Sequence, residues 1–203
     1  MKSRLGNSWF VIISSIVAIN SFANDAEING QVSLKNSRYE SLKINGNLAF
    51  ENLDVKGELE VNGNKEGKNL KCRKIKSNGS FQGDGLIVED IESNGSFIGK
   101  NVEISGSGKF NGYVEIQNGK LNQVEISSDK AIFTDSTINK ILIKKIESDS
   151  LFQLDKNKKN KQVVELHGDS SVIDIEFAEE GEVHISDKSQ VTGKMINCQV
   201  IRK

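Results

Sequence analysis

Ser77-Asn78-Gly79-Ser80-Phe81 recurs unchanged as Ser93-Asn94-Gly95-Ser96-Phe97, and a looser version follows at Ser105-Gly106-Ser107-Gly108-Lys109-Phe110. Each copy stands behind a β-branched residue (Ile75, Ile91, Ile104) and ends on an aromatic one. A repeat of fixed period decides architecture before any single residue does. Strand, turn and strand within about sixteen residues make one coil of a slim solenoid. The expected fold is therefore all-β, a single-stranded parallel β-helix with coils of about 16 to 19 residues. In such a stack, equivalent residues of successive coils are neighbours. Ile75, Ile91 and Ile104 should share one column and Phe81, Phe97 and Phe110 another.

Outward from this stretch the period continues. Ile28-Asn29-Gly30, Ile44-Asn45-Gly46, Val61-Asn62-Gly63, Ser107-Gly108 and Asn118-Gly119 carry it from the beginning of the repeat to residue 119. Asn reaches the left-handed region more readily than most residues and Gly reaches it freely, so the pair suits a sharp corner. Hairpin turns favour the same dipeptide, but they would bring a second turn signal every eight to twelve residues or so. If the Asn side chains stack, they form an amide ladder along the rod. Between the corners lie apolar pairs two residues apart, such as Leu53 and Val55, Leu86 and Val88, and Val102 and Ile104. That alternation turns one face inward.

Beyond residue 126 the spacing widens. Val164-Glu165-Leu166 aligns with Val183-His184-Ile185 at an offset of 19, which also superposes Ser170 on Ser189, Val172 on Val191 and Phe177 on Ile196. Residues 131–146 are β-branched enough for strands, although Thr134-Asp135-Ser136-Thr137 would also cap a short helix. Residues 155–162 carry four lysines and no apolar side chain, and read as a loop leaving the coil. One solenoid domain over 24–203 is expected, with an Asn-Gly region (24–126) and a wider-spaced region (127–203).

The first residues have the form of an export signal. Lys2 and Arg4 precede a mostly apolar run from Trp9 to Ile19, and Ser21-Phe22-Ala23 offers small residues for cleavage after Ala23. The run is shorter than the roughly 20 residues that span a bilayer. The chain is thus expected to be exported, periplasmic or secreted, with no transmembrane segment after cleavage. Lys and Arg number 27 against 28 Asp and Glu, a balance that gives no reason to expect nucleic acid as a partner. The absence of Pro among 203 residues suits a backbone whose donors are nearly all needed by a ladder. Cys72 and Cys198 fall near opposite ends of the proposed rod, too far apart for the Cα separation of about 7 Å that a disulfide needs.

Chemistry-bearing residues are sparse. Ile98, Ile104, Phe110 and Ile116 stand six apart, the spacing of left-handed acyltransferase coils, but the register is lost at Glu92 and Asn122. The two histidines, His167 and His184, occupy different positions in the coil and show no ligand spacing, so both read as solvated surface residues. Asp84 stands alone between Gly83 and Gly85. No catalytic, cofactor-binding or metal-binding residue is expected, and the chain reads as non-enzymatic.

Leu48 to Gly63 and Ile91 to Gly112, with short apolar pairs between Asn-Gly or Ser-Gly turns, resemble the bactofilins, polymer-forming bacterial β-helix proteins. Ser105-Gly106-Ser107-Gly108 resembles adhesin-like head domains of secreted bacterial proteins. The first resemblance implies a right-handed parallel β-helix that associates end to end without nucleotide. It departs from that family in carrying an export signal, which places the work in the envelope or outside the cell. The expected function is an exported structural or scaffold solenoid that self-associates. A monomeric adhesin or interaction module is the alternative, and a carbohydrate-active β-helix enzyme the third reading.

Overall fold

The computed structural model describes residues 22–23, 25–146, 161–186 and 188–202. The expected signal segment, apart from Phe22 and Ala23, lies outside them. So does the expected loop, apart from Lys161 and Gln162.

Among the described residues, eleven strands form one continuous parallel sheet wound into about ten turns. They are β1 (Phe22–Ala23), β2 (Ala26–Tyr39), β3 (Leu42–Asn62), β4 (Lys65–Asn111), β5 (Val114–Ser127) and β6 (Lys130–Thr134), then β7 (Thr137–Ile143), β8 (Val163–His167), β9 (Ser171–Ile185), β10 (Gln190–Val191) and β11 (Met195–Arg202). β4 alone runs 47 residues, because its backbone keeps pairing around successive corners. The expected β-solenoid is therefore the fold. Residues 131–143 form β6 and β7 rather than a helix, with Asp135 at φ 49° making the corner between them.

The amide ladder is present and sets the phase of the coils. Asn45 donates to Asn29 (3.0 Å), Asn62 to Asn45 (2.9 Å), Asn78 to Asn62 (2.7 Å), Asn94 to Asn78 (3.0 Å) and Asn111 to Asn94 (2.8 Å), each across 16 or 17 residues. The left-handed backbone falls on the following Gly and not on these Asn. A Cβ on Gly63 would lie 2.2 Å from the Gly46 carbonyl oxygen, so only Gly lets the coils close up here. A second corner was not anticipated. It is formed by Asn36, Asn52, Asn69, Asn101 and Asn118, which themselves hold φ between 50° and 57°. Asn118-Gly119 belongs to this second corner, and Gly112, not Gly108 or Gly119, continues the first.

Counting from the ladder locates one inward column. Three residues after each ladder Asn stand Val32, Leu48, Lys65, Phe81, Phe97 and Val114. Register then carries that column through Ala131, Val164 and Val183 to Val200. The apolar pairs picked out in the sequence, Leu53 and Val55 through Val124 and Ile126, are all buried.

The expected aromatic column needs correction. Phe81 and Phe97 do stack, ring centroids 5.1 Å apart, but Phe110 directly precedes Asn111, the place that Ser77 and Ser93 hold before their own Asn. It touches Phe97 (5.0 Å) across the interior and pairs along the rod with Ile126. Likewise Ile104 pairs with Leu121, and the place of Ile75 and Ile91 is taken by Gly108. The cause is volume. Where earlier coils put Ile and then Ser at two neighbouring inward positions, this coil puts Gly and then Phe, and a Cβ on Gly108 would lie 2.7 Å from the Phe110 ring.

Outside, charges of opposite sign face each other on successive coils: Glu27 pairs with Lys43, Glu60 with Lys76, Lys35 with Glu51, and Lys109 with Glu125. Such pairs favour the register in which they occur. The offset of 19 holds for Val164 with Val183, Leu166 with Ile185 and Val172 with Val191, but Ile196 pairs with Glu176, not Phe177, because the offset grows to 20 between Val191 and Met195. Ile98 is 38 % exposed while Ile104, Phe110 and Ile116 are buried, so the six-residue spacing is not a coil period. Both cysteines are free.

Candidate functional site

Three places depart from the regular coil: its ends, a cluster about Glu165, and Lys65. At the C-terminal end, β11 lies on β9 with Met195 over Ile175, Val200 over Val183 and Arg202 over Ile185. The three residues beneath are fully buried, whereas Met195 is 42 % and Val200 41 % exposed. Among the described residues, the inward columns of the core thus become half-exposed at the last coil. Ile201, which pairs with His184, points outward, and Val200 is the inward residue there. At the other end Ala26 and Ile28 are half-buried, and Phe22–Ala23 pair with Arg38–Tyr39 just before the expected cleavage point.

The histidines meet, which their sequence positions did not reveal. Glu165 Oε2 lies 3.2 Å from His167 Nε2 and 3.0 Å from Lys130 Nζ, while its Oε1 faces His184 Nδ1 at 3.7 Å. His184 Nε2 reaches Glu182 at 3.1 Å, and Lys161 reaches Glu180 and Glu182, both at 3.5 Å. Burial works against the Glu165 carboxylate, yet Lys130 and His167 hold its pKa below the usual value. Glu165 and His184 are paired in register, so the coil stack itself brings the imidazole to the carboxylate. With both ring nitrogens of His184 facing carboxylates, although Nδ1 is too far for a hydrogen bond, the cluster ties β6, β8 and β9 together. Lys161 and Gln162 belong to the coil as well, Gln162 donating to the carbonyls of Ser128 and Lys144. Nearby, Tyr113 donates to Glu115 at 2.5 Å, and that bond first, with burial second, pushes the phenol up to about 12.

Lys65 is 2 % exposed and occupies an inward position that Leu48 holds one coil earlier. Its Nζ donates to Ser77 Oγ at 2.7 Å and to the Asn78 carbonyl at 3.1 Å. Burial lowers its pKa from 10.5 to about 8. Counting three residues on from Asn62 would have found it. Among the described residues, no cluster of three or more His, Cys, Asp or Glu has a geometry that could hold a metal ion.

Comparison of the chain with protein-family models, curated proteins and solved structures returns no match.

Proposed function

We propose that the protein is an exported, non-enzymatic structural solenoid that associates head to tail with copies of itself in the cell envelope or outside the cell. The observation that carries this reading is the uncovered last coil, where Met195 and Val200 continue buried columns into solvent. A parallel strand at the end of a sheet also presents unpaired N–H and C=O groups, which template another chain. The first coil of a second copy offers the matching columns: Ala26 pairs with Leu42 as Val32 pairs with Leu48, so the Val32 column that ends at Val200 can begin again. Gln199 and Gln31 likewise stand in one outer column, directly before Val200 and Val32.

The test is the size of the purified chain lacking residues 1–23, by light scattering and electron microscopy over a range of concentrations. Oligomers or filaments that grow with concentration, and that Val200→Lys shortens without loss of β-sheet circular dichroism, are expected. A monodisperse monomer at high concentration and moderate salt would overturn the reading.

A further inference from the structure

Along the second corner runs a groove of about 860 Å³, lined from Asn36 to Lys120. Its wall is the second amide ladder, in which Asn69 donates to Asn52 at 2.7 Å and Asn118 to Asn101 at 3.2 Å. A primary amide has two donors and two acceptor lone pairs, so a rung that gives and takes one bond keeps one of each for a ligand. Two residues after each left-handed corner residue comes an outward side chain on the groove: Arg38, Asp54, Lys71, Ile87, Glu103 and Lys120. Five of the six are charged, and the signs are mixed along the rod. Three cations against two anions leave little net field to hold a polyanion or a polycation.

The fourth rung is different. Gly85 (φ 73°) replaces the corner Asn and leaves this rung without a side chain, a shallow notch into which Asn69 Oδ1 reaches, 2.8 Å from where a Cβ would lie, while the Asn101 amide turns to Asp84 at 2.7 Å. Beside the notch Ile87 is 53 % exposed, the most exposed large apolar side chain among the described residues. A charge there would face Lys71 on one side and Glu103 on the other, one of like and one of opposite sign, so it would gain little, and a neutral residue avoids the repulsion. Neutrality alone would be met by Ser, Thr or Gln, whereas Ile adds an apolar platform beside a bare backbone notch with amides above and below. Hydroxyls to meet the amides, an apolar C–H face to lie on Ile87, no net charge and an extended shape describe a linear sugar polymer.

We propose that this groove binds an extended, uncharged linear glycan, with one sugar ring seated over Gly85 and Ile87. The site is separate from the ends of the rod and does not depend on self-association. Calorimetric titration of the full chain lacking residues 1–23 with neutral hexasaccharides of glucose and N-acetylglucosamine, and with polygalacturonate as the anionic control, tests it. At least one neutral oligosaccharide should bind. Gly85→Asn, which fills the rung with the residue found at the other five corners once the Asn69 amide gives way, should weaken it tenfold or more, and so should Ile87→Lys. The Val200→Lys chain should bind as the parent does. Failure of every neutral oligosaccharide to bind, binding of the polyanion alone, or unchanged affinity in a folded Gly85→Asn chain would each overturn the proposal.

Discussion

Lys65 Nζ donates to Ser77 Oγ at 2.7 Å inside a column whose other members, from Val32 to Val200, are all apolar. Neither Ser77 nor the Asn78 carbonyl carries a charge, so the ammonium is buried without a counter-ion. Burial of an unpaired charge disfavours the charged form, and the lowering of the Lys65 pKa to about 8 is that cost seen from the proton's side.

The consequence for stability has a definite sign. Between pH 8 and 10.5 or so the unfolded chain binds the proton and the folded chain does not, so stability contributed by this site rises with pH across that window. Below it the folded protein carries a constant penalty of about 1–3 kcal/mol. Lys65→Met should therefore stabilise the protein at pH 7 and flatten the rise. Cys72, whose thiol burial pushes up to about 11, acts in the opposite direction above pH 9, so denaturant curves of the two chains must be subtracted at each pH. Equal stability of both chains at pH 7 would remove the buried-charge account.

Three glycines differ in what a Cβ would meet, and so in expected cost. Gly99→Ala would bring a Cβ to 2.6 Å from Val102 Cγ2 and 2.9 Å from the Phe97 ring, side chains that can give way, and should cost about 1–3 kcal/mol. Gly63→Ala meets a carbonyl oxygen at 2.2 Å and adds strain at φ 142°, so it should cost more. Gly30→Ala meets nothing within 4 Å and carries only the backbone strain of φ 106°. Melting temperatures should fall in the order Gly30, Gly99, Gly63.

The repeat in Ser77–Phe97 was enough to derive the coil, its length and the inward face, because all three follow from periodicity. Phase was harder. Ser105–Phe110 looks like a third copy, but its Phe stands at the Ser position, since a Gly and Phe pair fills the same volume as an Ile and Ser pair. Only contact between coils distinguishes the two. The second corner escaped notice because Asn36, Asn52, Asn69 and Asn101 are not followed by Gly, and an Asn that takes the left-handed turn alone leaves no dipeptide signal. The meeting of His167 and His184 on Glu165 depends on coil stacking across a gap in sequence, which no local spacing records.

Asn52 separates two contributions at the second corner. It holds φ 56° and sits between Asn36 and Asn69, with 2.7 Å hydrogen bonds to both. Asn52→Ala should lose the backbone tolerance and both bonds, about 2 kcal/mol in all. Asn52→Gly keeps the tolerance and should recover about half of that. If Gly is no better than Ala in urea melts, the left-handed corner is not what the Asn supplies.

Arg202 decides how far self-association can go. It lies over Ile185 in an inward column, so a cation stands at the end of the core beside the exposed Val200. An inward-pointing charge on a terminal strand is a device that discourages edge pairing, because joining would bury it. Arg202→Leu continues the column of Leu166 and Ile185 and should tighten the head-to-tail contact, by about tenfold in dissociation constant for each ~1.4 kcal/mol gained. Val200→Lys, two residues earlier in the same strand, should do the reverse. Sedimentation of the three chains at equal concentration checks the pair of expectations, and high salt should not abolish the gain in Arg202→Leu, since the added contact is apolar. If Arg202→Leu sediments as the parent does while remaining folded, the C-terminal coil is not a joining surface.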